Sequence, residues 1–313
     1  MVVCGNCGEE GHDITTCANN CVKLAQQRVV LPTATYDGTE LKLNGEVVGR
    51  HDERRRLVSH VLFLPGVTAV HEGGTCEGGA FYGCTSLGSV LLPEGLTSIG
   101  GYAFNGCKDL ASVTFPAGLA TIGRNAFSGC TSLSSLSFRE GLATIEGLAF
   151  YGCTSLTSVS FPAGLISIEG YAFSGCKSLA SISFHAGLTT IGCNAFSGCT
   201  SLDSVSLPEG LTSIGNSHFS GCTSLTSVSL SAGFTTIGGL TFSGCTSLST
   251  VALPAGLTSI GAYAFNGCAA LASISLPEGL TTIGRNAFND CRSLASINFP
   301  AGLTTIGSNA FNN

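Results

Sequence analysis

Apolar positions recur along most of this chain in one fixed order: Cys-x2-Leu-x2-Val/Ile-x-Leu/Phe-Pro-x2-Leu-x2-Ile-x4-Phe. In one copy these are Cys107, Leu110, Val113, Phe115, Pro116, Leu119, Ile122 and Phe127. The cysteine returns every 23 residues from Cys84 to Cys291, and a phenylalanine keeps the same step from Phe81 to Phe311. A fixed period of this length marks a stacked repeat, in which each unit buries its apolar side against the next. Within a unit, Leu110-x2-Val113-x-Phe115 predicts a short strand. Pro116 and Gly118 turn the chain after it. Leu119 and Ile122 form a second inward-facing edge, and Ala126-Phe127 forms a tight or single helical turn before the next cysteine. A lone unit has too little apolar area to offset the entropy of ordering its backbone, so stability has to come cooperatively from neighbours.

The polar positions are as regular. Ser89, Ser112, Ser135, Ser158, Ser181, Ser204, Ser227, Thr250, Ser273 and Ser296 form one outward column of small hydroxyls. Exposed charge is left to scattered positions, of which Lys108, Arg124, Arg139, Asp203, Arg285 and Arg292 are the candidate binding residues. His185 and His218 stand singly in different columns and read as surface imidazoles. Stacked cysteines in register share one direction at about 4.8 Å, whereas a disulfide needs Cβ atoms near 3.8 Å. The column therefore reads as buried packing, with Cys193, outside it, exposed.

The first 63 residues are different. Residues 1–21 hold a cysteine-rich motif, and 22–63 form a linker and capping segment ahead of the array at 64–313. In that linker, Asp37-Gly38 and Asn44-Gly45 flank the alternating Leu41 and Leu43, a hairpin signal. The run Asp52-Glu53-Arg54-Arg55-Arg56 reads as a solvated polar edge, its acidic members offsetting its basic ones. Leu57 to Leu64 reads as the first buried strand, and the whole segment is expected to cover the open end of the stack.

Composition narrows the function classes. The 313 residues carry a net charge of −6 and only 10% charged residues, so no broad basic field draws nucleic acid or an acidic membrane. No apolar run is long enough to cross a bilayer. Ten of the 16 cysteines are explained by the period. The start lacks the pattern of a secretory signal and the sequence has no N-x-Ser/Thr sequon, so the expected compartment is the reducing cytoplasm or nucleus. No Ser/His/Asp set, phosphate loop or carboxylate pair stands out, and near-identical units leave little room for a unique reactive pocket. The expectation is a protein without enzymatic activity.

The motif CGNCGEEGHDITTC places Cys4, Cys7, His12 and Cys17 at C-x2-C-x4-H-x4-C spacing. Two thiolates from one tight turn, with an imidazole and a third thiolate from the next loop, make a tetrahedral donor set suited to Zn2+. A segment this short would draw its folding energy from the metal. These fourteen residues resemble the zinc knuckle (CCHC) family, including Gly8 and the Gly11-His12 pair. That resemblance implies binding of single-stranded RNA or DNA. The family's stacking aromatic is replaced by Gly5, and Glu9, Glu10 and Asp13 surround the site, which favours a protein contact instead.

Residues 64–313, with the shared motif LPxGLTxIGxxAFxGCxSL, resemble the BspA-like class of leucine-rich repeats. The resemblance implies a right-handed, strand-rich solenoid of about ten or eleven 23-residue units with a parallel sheet on one face. It also implies action through protein contacts. The Asn of the commonest leucine-rich repeats is absent, so the turn near Gly95 and Gly118 must satisfy its backbone another way. The reading is a protein–protein interaction scaffold carrying a zinc-binding knuckle. Its rival is a single-stranded nucleic-acid-binding adaptor acting through that knuckle, and a weaker third is a hydroxyl surface for glycan or ice.

Overall fold

The structure is a computed structural model, and it describes residues 33–36, 41–43, 46–47, 53–63, 66–70 and 79–312. The cysteine-rich motif, with Cys4, Cys7, His12 and Cys17, lies outside the described residues.

From Gly79 onward the chain is a parallel-strand solenoid, one coil per 23-residue unit. Each regular coil contributes two strands. One is three residues long, as in Ser135–Ser137, and its central apolar residue points inward. The other is two residues long, as in Thr144–Ile145, and buries the Ile. Stacked in register, the three-residue strands form a long-strand ladder in two pieces, Ser89–Leu91 with Ser112–Thr114, and Ser135–Ser137 through to Thr250–Ala252. The two-residue strands, eleven of them from Ala69–Val70 to Thr305–Ile306, form a second ladder. The sequence reading placed one sheet on one face; the inward edge at Leu119 and Ile122 is a second sheet. Turns rather than helix fill the segment through Ala126 and Phe127.

The core is a set of files, one residue type to each. Phe81 to Phe311 stack ring on ring, with centroids 4.8 to 5.9 Å apart and planes within 20° of parallel. Beside them runs the cysteine file, buried from Cys84 to Cys291 and without a disulfide. Its thiols do more than fill space. Each Sγ–H from Cys107 onward donates to the carbonyl of the phenylalanine 26 residues earlier, as in Cys153 to Phe127 at 3.3 Å. That carbonyl already accepts the N–H of the cysteine in its own coil, Cys130 for Phe127. The thiol takes the second lone pair, a role no aliphatic side chain of that size fills. Burial pushes these thiols up, to about 11 at Cys84 and about 12 at Cys130.

Small residues set the closest approach between coils: a Cβ on Gly123, Gly192, Gly261 or Gly284 would overlap backbone atoms of the coil before. Gly106 and its equivalents serve a turn instead, with φ near +70°. The turn lacking the usual Asn is satisfied by backbone N–H groups of the next coil, such as Ala143 to the Ala120 carbonyl at 3.0 Å, to which some units add a hydroxyl. Thr189 Oγ1 donates to the Ile166 carbonyl and Thr258 Oγ1 to that of Thr235, at 3.3 and 3.0 Å.

Residues before the array pack over its first coil. Strand β1 (Thr33–Tyr36) pairs antiparallel with β2 (Leu41–Leu43) and parallel with β4 (His60–Phe63), and β3 (Glu46–Val47) completes a four-stranded sheet. Tyr36 and Phe63 meet Phe81 edge-on at 5.0 and 5.7 Å and close the aromatic stack. Two sequence expectations change here. The strand starts at His60 rather than Leu57, which ends a 3-10 helix (Glu53–Leu57) on the surface, and Leu57 and Leu62 are exposed rather than buried, Leu62 because the strand alternates its faces. Arg55 is not a solvated edge residue but is 5% exposed. Its guanidinium donates to the carbonyls of Ala80 and Tyr82 at 2.8 and 3.2 Å. In every later coil the equivalent carbonyls, such as Ala103 and Asn105, accept N–H groups from the coil before. Arg55 stands in for that missing coil.

Candidate interaction surface

Alternation along each three-residue strand puts its central residue inside and its two flanking residues outside. In-register pairing then lines up two outward files: Ser135, Ser158, Ser181, Ser204 and Ser227, and beside them Ser137, Ser160 and Ser183 followed, past one unpaired step, by Ser206 and Ser229. Each of these serines is exposed. Spacing within a file is about 4.8 Å, and between files about 6.7 Å. None of the ten makes a side-chain hydrogen bond to another described residue, so their hydroxyls are available to a partner. The hydroxyls at the flanking corner are committed. Thr157 Oγ1 donates to the Ser134 carbonyl and Thr226 Oγ1 to that of Asp203, at 3.0 and 3.1 Å.

The charged candidates do not converge. Lys108 and Arg292 occupy the same column eight coils apart, about 40 Å at ~4.8 Å per coil. Arg124 and Arg285 share another column seven coils apart. Arg139 stands where most units have proline, and Asp203 immediately precedes the long-ladder strand Ser204–Ser206. Arg285 is held on its neighbour's ring, Nη2 to Tyr263 Oη at 2.6 Å and the guanidinium carbon 5.1 Å from the ring centre. Arg292 pairs loosely with Asp290 at 3.6 Å. Asp203 Oδ1 accepts from Thr226. Glu146 and Glu169, which the sequence reading passed over, accept the N–H of Arg124 and Gly147 at 2.9 and 3.1 Å.

His218 is the clearest departure from the sequence reading. It is fully buried rather than a surface imidazole. It occupies the column of Ala103, Ala126, Ala149, Ala172 and Ala195, which points into the core. Reading down the column rather than along the chain would have placed it. His185 and Cys193 are exposed, as expected.

Among the described residues no group of three or more His, Cys, Asp or Glu is placed to hold a metal ion. No helix there is long and apolar enough to cross a membrane.

With this geometry in view, a family model described as BspA type leucine rich repeat region matches residues 75–203 and 189–313. The chain belongs to the BspA-type leucine-rich repeat family. Among solved structures, this BspA-type chain is similar to a leucine rich repeat protein of T. pallidum. The identity is 30%, over 59% of this chain and 85% of that one, with a TM-score of 0.51. It is also similar to a leucine-rich repeat protein of Eubacterium ventriosum, 26% identical over 82% of this chain and 83% of that one, with a TM-score of 0.53. No curated protein sequence matches it.

Proposed function

We propose that this leucine-rich repeat solenoid is a non-enzymatic protein-interaction scaffold whose partner sits on the two serine files of the long-strand ladder. The observation that supports this is the pair of exposed, in-register hydroxyl columns whose side chains are uncommitted within the chain. A face of small polar groups meets a partner through many weak hydrogen bonds and bridging waters rather than through one deep anchor. In the same reading Cys4, Cys7, His12 and Cys17 hold a Zn2+ ion. The support is their spacing and donor chemistry, and the folded knuckle adds a second contact to the first.

The test is affinity capture with the full chain, comparing the natural sequence with Ser158→Arg/Ser181→Arg/Ser204→Arg and with Thr189→Arg/Thr258→Arg on another side of the coil. Partners lost only with the serine variant support the proposal. Partners indifferent to it, or lost equally with both, reject it. Zinc is measured on the purified full chain: one equivalent, lost in Cys7→Ser, is expected. Titration with mixed single-stranded oligonucleotides decides the rival, because saturable, salt-weakened binding that disappears in Cys7→Ser would make the knuckle a nucleic-acid reader.

A further inference from the structure

The two-residue ladder is broken once, and the break has a side chain in it. At each other junction of that ladder, the backbone N–H after the Ile donates to the Ile carbonyl of the coil before, as Gly192 does to Ile168 at 2.7 Å and Gly238 to Ile214 at 2.9 Å. Between residues 189–192 and 212–215 that bond is missing. So are the bond from Thr212 N–H to the Thr189 carbonyl and the strand pairing of 190–191 with 213–214; the ladder ends as one six-stranded and one five-stranded sheet. The long-strand ladder, which also lacks pairing between Ser112–Thr114 and Ser135–Ser137, thins at the same junction to a single paired position, Ser181 with Ser204. Phe196 to Phe219 and Phe219 to Phe242 are the widest ring spacings in the phenylalanine stack, 5.8 and 5.9 Å. The turn that follows stays joined, with Asn194 N–H donating to the Asn216 carbonyl at 3.1 Å and Phe196 N–H to the His218 carbonyl at 3.0 Å. One side open and one side held is the geometry of a hinge.

His218 occupies the gap. Its Nε2 lies 2.7 Å from the Ile191 carbonyl, in place of the Gly215 N–H. Its Nδ1 lies 2.9 Å from the Gly215 carbonyl, in place of the N–H by which the column's alanines close the same turn. Both nitrogens thus replace donors, and a neutral imidazole has only one proton to donate. The Ile191 contact is the shorter of the two, so the neutral ring serves Ile191 through Nε2–H and leaves the Nδ1 lone pair against the Gly215 oxygen, while the single proton of Thr241 Oγ1 is shared between the Gly238 carbonyl at 2.7 Å and the Gly215 carbonyl at 3.0 Å. The imidazolium would satisfy both contacts, but in a fully buried seat. Desolvation is the dominant influence and lowers the proton affinity of the ring below its ordinary value, and what favours the charge is only the backbone of Ile191, Gly215 and Asn216. Both the ring and the Cys193 thiol of the preceding coil border Gly215, and the following coil presents Thr241. No carboxylate acts on it among the described residues.

We propose that His218 is a proton-operated wedge: protonation drives the ring toward water, withdraws its bridge to the Ile191 carbonyl across the unpaired junction between residues 189–192 and 212–215, and lets the two halves of the solenoid hinge there. The bridged state is held above the ordinary imidazole value and loosens as pH falls below it. An interaction face that spans the junction then changes its register with acidity.

Amide hydrogen exchange on the full chain, corrected for intrinsic rates, tests this between about pH 7.5 and pH 5, the range that brackets a histidine. Residues 212–215 are followed with 235–238, the same positions one coil on, as control. In the natural chain exchange at 212–215 is expected to exceed the control and to rise further on acidification while the control does not. In His218→Ala, which restores the column's own residue, 212–215 should become as protected as 235–238 at both pH values. His218→Thr, a residue the column carries at Thr241, serves the same test if circular dichroism shows His218→Ala unfolded. Equal protection of the two segments in the natural chain at both pH values overturns the proposal. So does an acid-induced rise that persists without the imidazole.

Discussion

Two adjacent junctions of the coil show what one side chain does. Between residues 166–169 and 189–192 the backbone is fully joined: Thr189 N–H to the Ile166 carbonyl at 3.0 Å, Ser167 and Ile168 paired with Thr190 and Ile191, and Gly192 N–H to Ile168. One coil later the equivalent positions have none of these bonds, although the strand sequences, Thr-Ile and Ser-Ile, are those used throughout. The difference is in the column that points inward, where Ala195 gives way to His218. The larger ring acts on the neighbouring coil's backbone rather than on its own strand. At the next junction Thr241, also not alanine, leaves the pairing of Ser213 and Ile214 with Thr236 and Ile237 intact. Size decides, and because coils contact only their neighbours the fault does not spread.

The two regions should fail at opposite ends of the pH scale. The cysteine file makes the regular coils alkali-sensitive. A thiol raised by burial, to about 12 at Cys130 and Cys222, stays protonated when folded and ionises near 8.5 when unfolded. Above that unfolded value the unfolded chain holds fewer protons, so stability falls as pH rises. The loss is about 1.4 kcal/mol per pH unit for each thiol in a cooperative unit. Circular dichroism under reducing conditions should show the array unfolding between about pH 9 and 11. Replacing Cys130, Cys153 and Cys176 by alanine should make the dependence on pH shallower. An unchanged steepness would mean that these thiols do not stay protonated in the fold.

Packing gives the next largest contrast. Phe150 stacks at 5.3 and 5.1 Å on its neighbours, and Phe219, in the faulted coil, at 5.8 and 5.9 Å. Phe150→Ala should cost about 3–5 kcal/mol, as large-to-small core changes do. Phe219→Ala should cost less, because its surroundings are already looser and can close further. Urea unfolding of both variants checks the order, and equal losses would show that the wider spacing carries no energy. Arg55→Met comes third. It leaves the Ala80 and Tyr82 carbonyls without the guanidinium, at about 1–3 kcal/mol for buried groups left unpaired. Hydrogen exchange should rise in residues 79–87 and not beyond the second coil.

Much of this was legible in the sequence, for a physical reason. The period of Cys107, Cys130 and Cys153 fixes which residues stack, and one coil's inward pattern at Leu110, Val113, Leu119 and Ile122 then fixes all of them. What was not legible lay where a residue's type contradicts its column. His218 and Arg55 read as surface groups on polarity alone, yet each is buried because backbone carbonyls need donors at that place. The charged candidates failed in the converse way: Lys108 and Arg292 are exposed as expected, but no fold built of identical coils brings positions eight coils apart together. The thiol-to-carbonyl bonds were invisible because the period explained the cysteines without them.

The smallest effect asks whether the fault is coupled to its neighbours. Leu240 lies one coil past His218 and has φ of 58°. Its column holds the left-handed conformation in every coil from Tyr102 to Asn309, and four of those residues are asparagine. Asparagine enters that region with less strain than leucine, whose side chain is 41% exposed here and loses little packing when replaced. Leu240→Asn should therefore stabilise by about 0.5–1 kcal/mol, seen as a higher urea midpoint at constant slope. If only residues 236–244 gain hydrogen-exchange protection, the coils respond one at a time and the open junction is set by His218 alone. If residues 212–215 gain protection too, relief of strain one coil away helps to close the gap, and the hinge is shared by the coils on both sides of Phe219.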